Sequence, residues 1–170
     1  MNKKITWLHL SDLHVGQSGQ YLWPNFKDRF FDDLRLVVDL SGSVDLVLFT
    51  GDLTQTGAAD EFERLTDQLE EIWLVLKECG CAPSLVCVPG NHDLVRPNPR
   101  DARVKQLHRW HDDPDVREDF WAGGDSQYRD VIQQAFENYE RWKVSLSGRT
   151  ISTLPTSKEP LNKSNEPVRI

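Results

Sequence analysis

Residues 44–52 read VDLVLFTGD, an apolar run that ends at Gly51 and Asp52. A short apolar run bounded by turn-forming residues is typical of a strand buried within a parallel sheet. Similar runs precede and follow it along the chain. Residues 5–10 end in a polar loop, and residues 84–88 are closed by Pro89 and Gly90. The sequence therefore predicts three strands, at residues 5–10, 44–49 and 84–88.

Helical periodicity fills the two gaps between these strands. The first helix begins near Pro24, which suits a first helical turn, and the Ser-Gly-Ser run at 41–43 ends it. Its apolar stripe is Phe26, Phe30, Leu34 and Val37. The second helix runs from about residue 58 to residue 79, and its stripe is Phe62, Leu65, Leu69, Ile72 and Leu76. This β-α-β-α-β order predicts an α/β fold with parallel strands and right-handed crossovers, as in one half of an α/β sandwich.

The chain changes character after the third predicted strand. From residue 101 onward the pattern is helical and highly charged. Its strongest apolar stripe is Tyr128, Val131, Ile132, Ala135, Phe136, Tyr139 and Trp142. Periodicity is lost after Gly148, and residues 151–170 are rich in Pro, Ser, Lys and Asn. We therefore expect one domain over residues 1–148 and a loop or disordered tail over residues 149–170.

Composition narrows the class of protein. The 170 residues, 38% hydrophobic and 28% charged, suit one globular domain. A formal net charge of -7 argues against a dedicated nucleic-acid-binding domain, which would usually be basic. The three cysteines suggest reduced thiols rather than a disulfide framework. The run at 5–10 is too short for a signal peptide and no run approaches a membrane span, so we expect a cytoplasmic protein without a membrane partner.

Polar side chains follow each predicted strand at the point where it ends. The first strand is followed by SDLH at residues 11–14, the second by GD at 51–52, and the third by GNHD at 90–93. Each piece alone is also typical of a turn. In an open parallel sheet, however, ligands bind beyond the carboxyl ends of the strands, and all three pieces lie there. Carboxylate, amide oxygen and imidazole together suit Mn, Fe or Zn, so the sequence predicts a divalent metal site at this edge.

Three blocks of the sequence resemble the first three signature blocks of the calcineurin-like metallophosphoesterase superfamily, in the family's order. They are Asp12-x-His14, the GDLTQTG block at residues 51–57 and the GNHD block at residues 90–93. The resemblance covers residues 5–93 by motif and extends more loosely over the helices that follow. The wording of the first two blocks is closest to the cyclic-nucleotide-phosphodiesterase-like branch. The resemblance implies phosphate-ester substrates, with phosphodiesters favoured.

The resemblance also implies two divalent metal ions, such as Mn, Fe or Zn, and a ligand set for them. Asp12 and His14 would bind the first metal ion, and Asp52 would bridge both. Asn91 would bind the second metal ion through its amide oxygen. In such a centre the two ions hold the phosphate and activate a water molecule for in-line attack on phosphorus.

Two further residues of the third block have implied roles that do not involve metal coordination. His92 would face the phosphate and act as the catalytic group that protonates the leaving oxygen. Asp93 would orient His92 without binding a metal ion itself.

The later part of the sequence departs from the family's pattern. The family uses another histidine on a later strand and a Gly-His-x-His block, whereas none of the five histidines here lies beyond His111. His108 and His111 could face one metal ion, but their charged neighbours favour a solvated surface. We therefore expect the N-terminal part of a longer phosphoesterase with further domains. We also expect the isolated chain to bind metal poorly and to show little or no hydrolase activity.

Other hypotheses stay open. A catalytically incomplete binding or regulatory module of the same fold would also lack the late ligands, and a metal-dependent nuclease would share the chemistry, with nucleic acid as a less favoured partner. Trp23 could stack on a base. A group of basic residues could form a rim for an anionic substrate, or an exposed helix face balanced by acidic neighbours: Arg96, Arg100, Arg103, Lys105 and Arg109.

Overall fold

The computed structural model describes residues 4–18, 22–147, 149 and 151–153. Its elements in chain order are β1 (Trp7–Leu10), α1 (Leu22–Ser41), β2 (Leu46–Thr50), α2 (Ala59–Glu78), β3 (Ser84–Val88), α3 (Ala102–Leu107), α4 (Pro114–Trp121), α5 (Gln127–Ala135), α6 (Glu137–Ser145) and β4 (Ser152–Thr153). The three predicted strands and the helices between them are all present, which confirms the α/β fold.

The four strands form one parallel sheet in the order β1-β2-β3-β4. In its register Leu10 lies beside Phe49, and Phe49 lies beside Cys87. The short β4 pairs with the start of β3 and falls within the segment 149–170, which we expected to be wholly irregular. Two residues of that segment therefore belong to the sheet, while residues 154–170 lie outside the described part of the chain. The domain boundary at residue 148 stays a prediction.

The helices that connect the strands lie on one face of the sheet. Consecutive parallel strands are neighbours, and α1 and α2 contact each other, so both helices fall on the same side of the sheet, as two crossovers of the same hand require. Val47, Phe49 and Leu85 point into the core on that side and are buried. Residues one position along the strands face the other way, and Trp7 is 61% exposed. The core thus fills the space between one sheet face and the helices.

The predicted stripe of α2 is confirmed, but the predicted stripe of α1 is partly wrong. All five stripe residues of α2 are buried. On α1, Leu34 and Val38 are buried, whereas Phe26 is 52% exposed and Val37 is 46% exposed. A step of three residues turns Val37 away from the side shared by Leu34 and Val38. Trp23 lies within α1 and packs edge-on against Phe31 at 6.1 Å between ring centroids.

The C-terminal helices pack back onto the first part of the chain. Trp142 of α6 stacks on Phe62 of α2, with ring centroids 5.4 Å apart, and its Nε1 donates to Thr66 Oγ1 at 3.0 Å. The Tyr139 hydroxyl donates to the carbonyl of Cys87 at 2.9 Å. Burial raises the pKa of Tyr139 well above its ordinary range, so the hydroxyl stays protonated and can donate. These contacts fix α6 to α2 and to the end of β3.

Cys79, Cys81 and Cys87 are free thiols, as expected. None of the described helices has both the length and the apolar character needed to cross a membrane.

Candidate metal centre

The loops that follow β1 and β2 run side by side beyond the ends of their strands. The Asp12 amide donates to the carbonyl of Gly51 at 3.2 Å, and the His14 amide donates to the carbonyl of Asp52 at 2.9 Å. Val15 continues this pattern with an isolated parallel bridge to Thr54. Parallel pairing therefore extends past the regular strands, and it brings the first and second motifs together.

Three of the predicted site residues form one compact group. Asp12, His14 and Asp52 each offer a ligand atom, and these atoms all lie within 4.8 Å of one another. Asp12 Oδ1 lies 3.7 Å from His14 Nε2. Among the described residues, this is the one group of three or more Asp, Glu, His or Cys side chains with such spacing, and it does not include His108 or His111.

The backbone at all three members of this group adopts an unusual conformation. The φ angles are 58° at Asp12, 48° at His14 and 53° at Asp52, and within the described chain no other residue except glycine has a positive φ. A left-handed conformation costs an L-residue roughly 1–2 kcal/mol. Such strain clusters at functional sites, where the surrounding structure holds a side chain in a required direction.

Glycine at position 90 makes room for the Asp52 side chain. A Cβ added to Gly90 would lie 2.2 Å from Asp52 Oδ1, and one added to Gly51 would lie 3.0 Å from the Gly90 Cα. The turns after β2 and β3 therefore approach at a distance that side chains would prevent. The His92 amide donates to Asp52 Oδ1 at 3.0 Å, so the third motif holds the carboxylate of the second.

The group fits a divalent metal ion. His14 Nδ1 is buried and makes no hydrogen bond within the described structure, although a buried polar atom ordinarily has a partner. Two carboxylates and one imidazole at ligand spacing are the donors that Mn, Fe and Zn accept. His14 Nε2 is the ring nitrogen that faces Asp12. The second ring nitrogen of a metal-bound imidazole commonly binds a neighbouring group or water, and Nδ1 is the atom of His14 left for such a partner.

Asn91 and His92 lie in the turn after β3. The His92 ring contacts the His14 ring edge-on, with centroids 4.7 Å apart. Its Nδ1 lies 2.9 Å from the carbonyl oxygen of Gln55. Because a carbonyl only accepts, Nδ1 carries the hydrogen and Nε2 is left for proton transfer. Asn91 is exposed and, together with His92, lines a cavity of about 440 Å³.

Asp93 is a completely buried carboxylate, with 0% of its surface exposed. It accepts hydrogen bonds from the amides of Leu53 at 3.1 Å, Thr54 at 2.7 Å and Gly90 at 2.9 Å. The Thr54 hydroxyl adds a fourth bond at 2.9 Å. Asp93 thus joins the turn after β2 to the turn after β3.

The ring of His92 is held by a main-chain carbonyl. The Gln55 carbonyl, rather than the Asp93 carboxylate, binds Nδ1 of that ring. The Thr54 hydroxyl lies 2.9 Å from the Asp93 carboxylate and 3.5 Å from the His92 carbonyl oxygen, and the orienting role of Asp93 stays a prediction. The contribution of Gln55 has no signal in the sequence, because any residue at position 55 supplies a carbonyl.

The predicted basic rim divides into two kinds of side chain. Arg103 is paired with Asp101 at 2.7 Å, and these hydrogen bonds lower the pKa of the Asp101 carboxyl. Arg96 is exposed and lines the same cavity as His92. The rim is therefore not a uniform basic surface, and Arg96 is its one member that lines the cavity beside His92.

These observations define a class of protein, a parallel α/β fold that gathers metal-ligating side chains at the carboxyl edge of its sheet. The family model of the calcineurin-like phosphoesterases matches residues 5–158, and the chain belongs to that family. A comparison with curated proteins gives no match. The family's chemistry is metal-dependent hydrolysis of phosphate esters, and Asp12, His14 and Asp52 form a possible metal group for it.

Proposed function

We propose that this chain contributes to hydrolysis of phosphodiesters at a two-metal centre. Asp12 and His14 would hold one ion, Asp52 would bridge, and Asn91 would bind the second. The observation that carries the proposal is the convergence of Asp12, His14 and Asp52 within 4.8 Å. The positive φ angles of those three residues support it independently, since they occur at no other described residue except glycine.

The bound ions would supply Lewis-acid activation of the phosphate and of an attacking water. The protein's own part is to fix donors and to manage protons. The Gln55 carbonyl holds the Nδ1–H of His92, which fixes the ring against His14. His92 Nε2 is then the atom that would give a proton to the departing alkoxide oxygen, as a general acid does.

The preference for diesters rests on the likeness of residues 11–14 and 51–54 to the cyclic-nucleotide-phosphodiesterase-like branch, and the space beside His92 can accept the leaving group of such an ester. The cavity of about 440 Å³ that His92 and Asn91 line can hold a substantial organic group. A substrate whose phosphate lies at the metal group would place its leaving group beside the general acid, and hence in this cavity.

The number of ligands bears on whether this chain acts alone. Asp12, His14 and Asp52, with Asn91, provide four protein side chains for two ions, whereas a single catalytic zinc ion usually has three. We propose that the remaining ligands come from groups outside the described residues, and that this chain by itself binds metal weakly and turns over slowly. The same shortage of ligands favours the second candidate, a binding or regulatory module of this fold.

A chromogenic phosphodiester assay with added manganese tests the proposal, with Asp52→Asn as the inactive variant and Asp39→Asn as a matched exposed control. Manganese-dependent turnover that is lost only in Asp52→Asn supports an enzyme. Metal-dependent binding of a phosphate ester by wild type without turnover supports the module. Turnover that is equal in wild type and Asp52→Asn would contradict both.

A further inference from the structure

The cavity beside His92 has a wall that the proposed chemistry does not use. His92 and Asn91 belong to its lining, and Leu94, Val95 and Arg96 line it as well. Because the His92 ring contacts His14, it stands between the metal group and this cavity. A leaving group that receives a proton from His92 would therefore extend toward residues 94–96.

The backbone of this wall is held firmly in place. The Val95 amide donates to the carbonyl of Ala135 in α5 at 2.9 Å. Gly57 has a φ of 71°, and a Cβ there would lie 2.5 Å from the Leu94 carbonyl carbon, so the two loops are in close contact. The Asn138 side chain donates to the carbonyl of Gly57 at 2.9 Å and ties the same region to α6.

Arg96 is the cationic side chain of this wall, and it is available to a ligand. Within the described part of the chain it makes no hydrogen bond or ion pair, unlike Arg103, which is paired with Asp101. Arg96 also lines a second cavity of about 280 Å³, which continues past Val95 toward α3 and α5. Arg96 is thus shared by the linings of the two cavities, in a protein whose net charge is -7.

We propose that Arg96 binds a second phosphate on the leaving-group side of the substrate, so that the site selects linear phosphodiesters that carry another phosphate beyond the scissile bond. This inference rests on the proposed function. A guanidinium matches phosphate geometry with two parallel hydrogen bonds. A cyclic mononucleotide has its single phosphate at the reacting centre and would gain nothing from Arg96.

The test compares thymidine 3′,5′-bisphosphate with the two thymidine monophosphates, by calorimetric titration in the presence of manganese. Wild type is expected to bind the bisphosphate roughly fivefold more tightly than either monophosphate, a modest factor because Arg96 is exposed to solvent. Arg96→Gln should bind all three nucleotides alike. Arg100 is an exposed arginine four residues along the chain that lines neither cavity, so Arg100→Gln should keep the preference of wild type.

Two results would overturn the inference while leaving the proposed function in place. One is manganese-dependent nucleotide binding by wild type without preference for the bisphosphate, and the other is a preference that survives in Arg96→Gln. Absence of any nucleotide binding would also overturn it. Manganese titrations of wild type and Asp52→Asn, run without nucleotide, test the metal group separately. Loss of manganese binding in Asp52→Asn supports the proposed function whatever Arg96 does.

Discussion

Gly90 and Asp52 lie so close that a Cβ on residue 90 would sit 2.2 Å from Asp52 Oδ1. The carboxylate proposed to bridge two metal ions therefore occupies space that only a glycine leaves open. The His92 amide, two residues along the same turn, donates to that oxygen at 3.0 Å. The turn that contains the GNHD block thus fixes the position of the Asp52 carboxylate.

Gly90→Ala should displace the Asp52 carboxylate and weaken metal binding. Overpacking of this kind costs about 1–3 kcal/mol, so the free energy of unfolding should fall by a similar amount. Thermal unfolding and manganese titration measure the two effects. Gly124→Ala is the control for the manganese titration alone, because a Cβ there meets no neighbour within 4 Å but its φ of 102° strains any side chain. Equal metal affinity in wild type and Gly90→Ala would contradict the close-packing argument.

Asp93→Asn should destabilise the fold strongly without removing a metal ligand. An amide nitrogen would face one of the backbone amides that now donate to Asp93, leaving donors without an acceptor. The expected loss in unfolding free energy is on the order of 3 kcal/mol. Chemical denaturation measures it, with the exposed Asp39→Asn as the matched control. A loss below about 1 kcal/mol would mean that the turns do not depend on this carboxylate.

Tyr139→Phe should cost about 1 kcal/mol of unfolding free energy at neutral pH, because the hydroxyl no longer bonds to the Cys87 carbonyl. Burial raises the folded-state pKa of Tyr139 above the ordinary value near 10. The stabilisation from the protonated hydroxyl is therefore complete below about pH 10 and is lost as the pH rises above it. The gap in stability between wild type and Tyr139→Phe should narrow in that alkaline range. A gap that widens with pH would contradict the assigned shift.

Manganese should raise the melting temperature of wild type and leave that of Asp52→Asn unchanged. A ligand that binds only the folded state adds about 1.4 kcal/mol when its concentration is ten times its Kd. Because we expect weak binding, the shift should emerge only at millimolar manganese and reverse with a chelator. An equal shift in both proteins would place the bound ions elsewhere on the surface.

Much of this site could be predicted from the sequence, because its parts are local. Asp12, His14 and Asp52 each follow an apolar run directly, and parallel pairing then brings their loops together. The hydrogen bond from His92 Nδ1 to the Gln55 carbonyl could not be predicted, because its acceptor is a main-chain atom. The burial of Asp93 and its hydrogen bonds to two turns could not be predicted either, since the sequence does not distinguish a buried carboxylate from an exposed one.

The errors in the predicted fold have similar causes. Whether Val37 is buried depends on which side of α1 meets the sheet. Successive helical residues are rotated by about 100°, so steps of three and of four residues from Leu34 lead to different sides of the helix, and the sequence does not say which of them is buried. β4 has only two residues, Ser152 and Thr153, and it pairs with a strand more than sixty positions earlier. Neither residue is apolar, so no periodic signal marks that strand.

The most direct measurement is anomalous X-ray scattering at the manganese edge from crystals soaked in millimolar manganese. We expect an anomalous peak at about 2 Å from carboxylate oxygens of Asp12 and Asp52 and a ring nitrogen of His14. A second, weaker peak is expected beside Asp52 and Asn91. Crystals that show no peak at the three residues, or peaks only at other acidic surfaces, would contradict the assignment of this group as the metal centre.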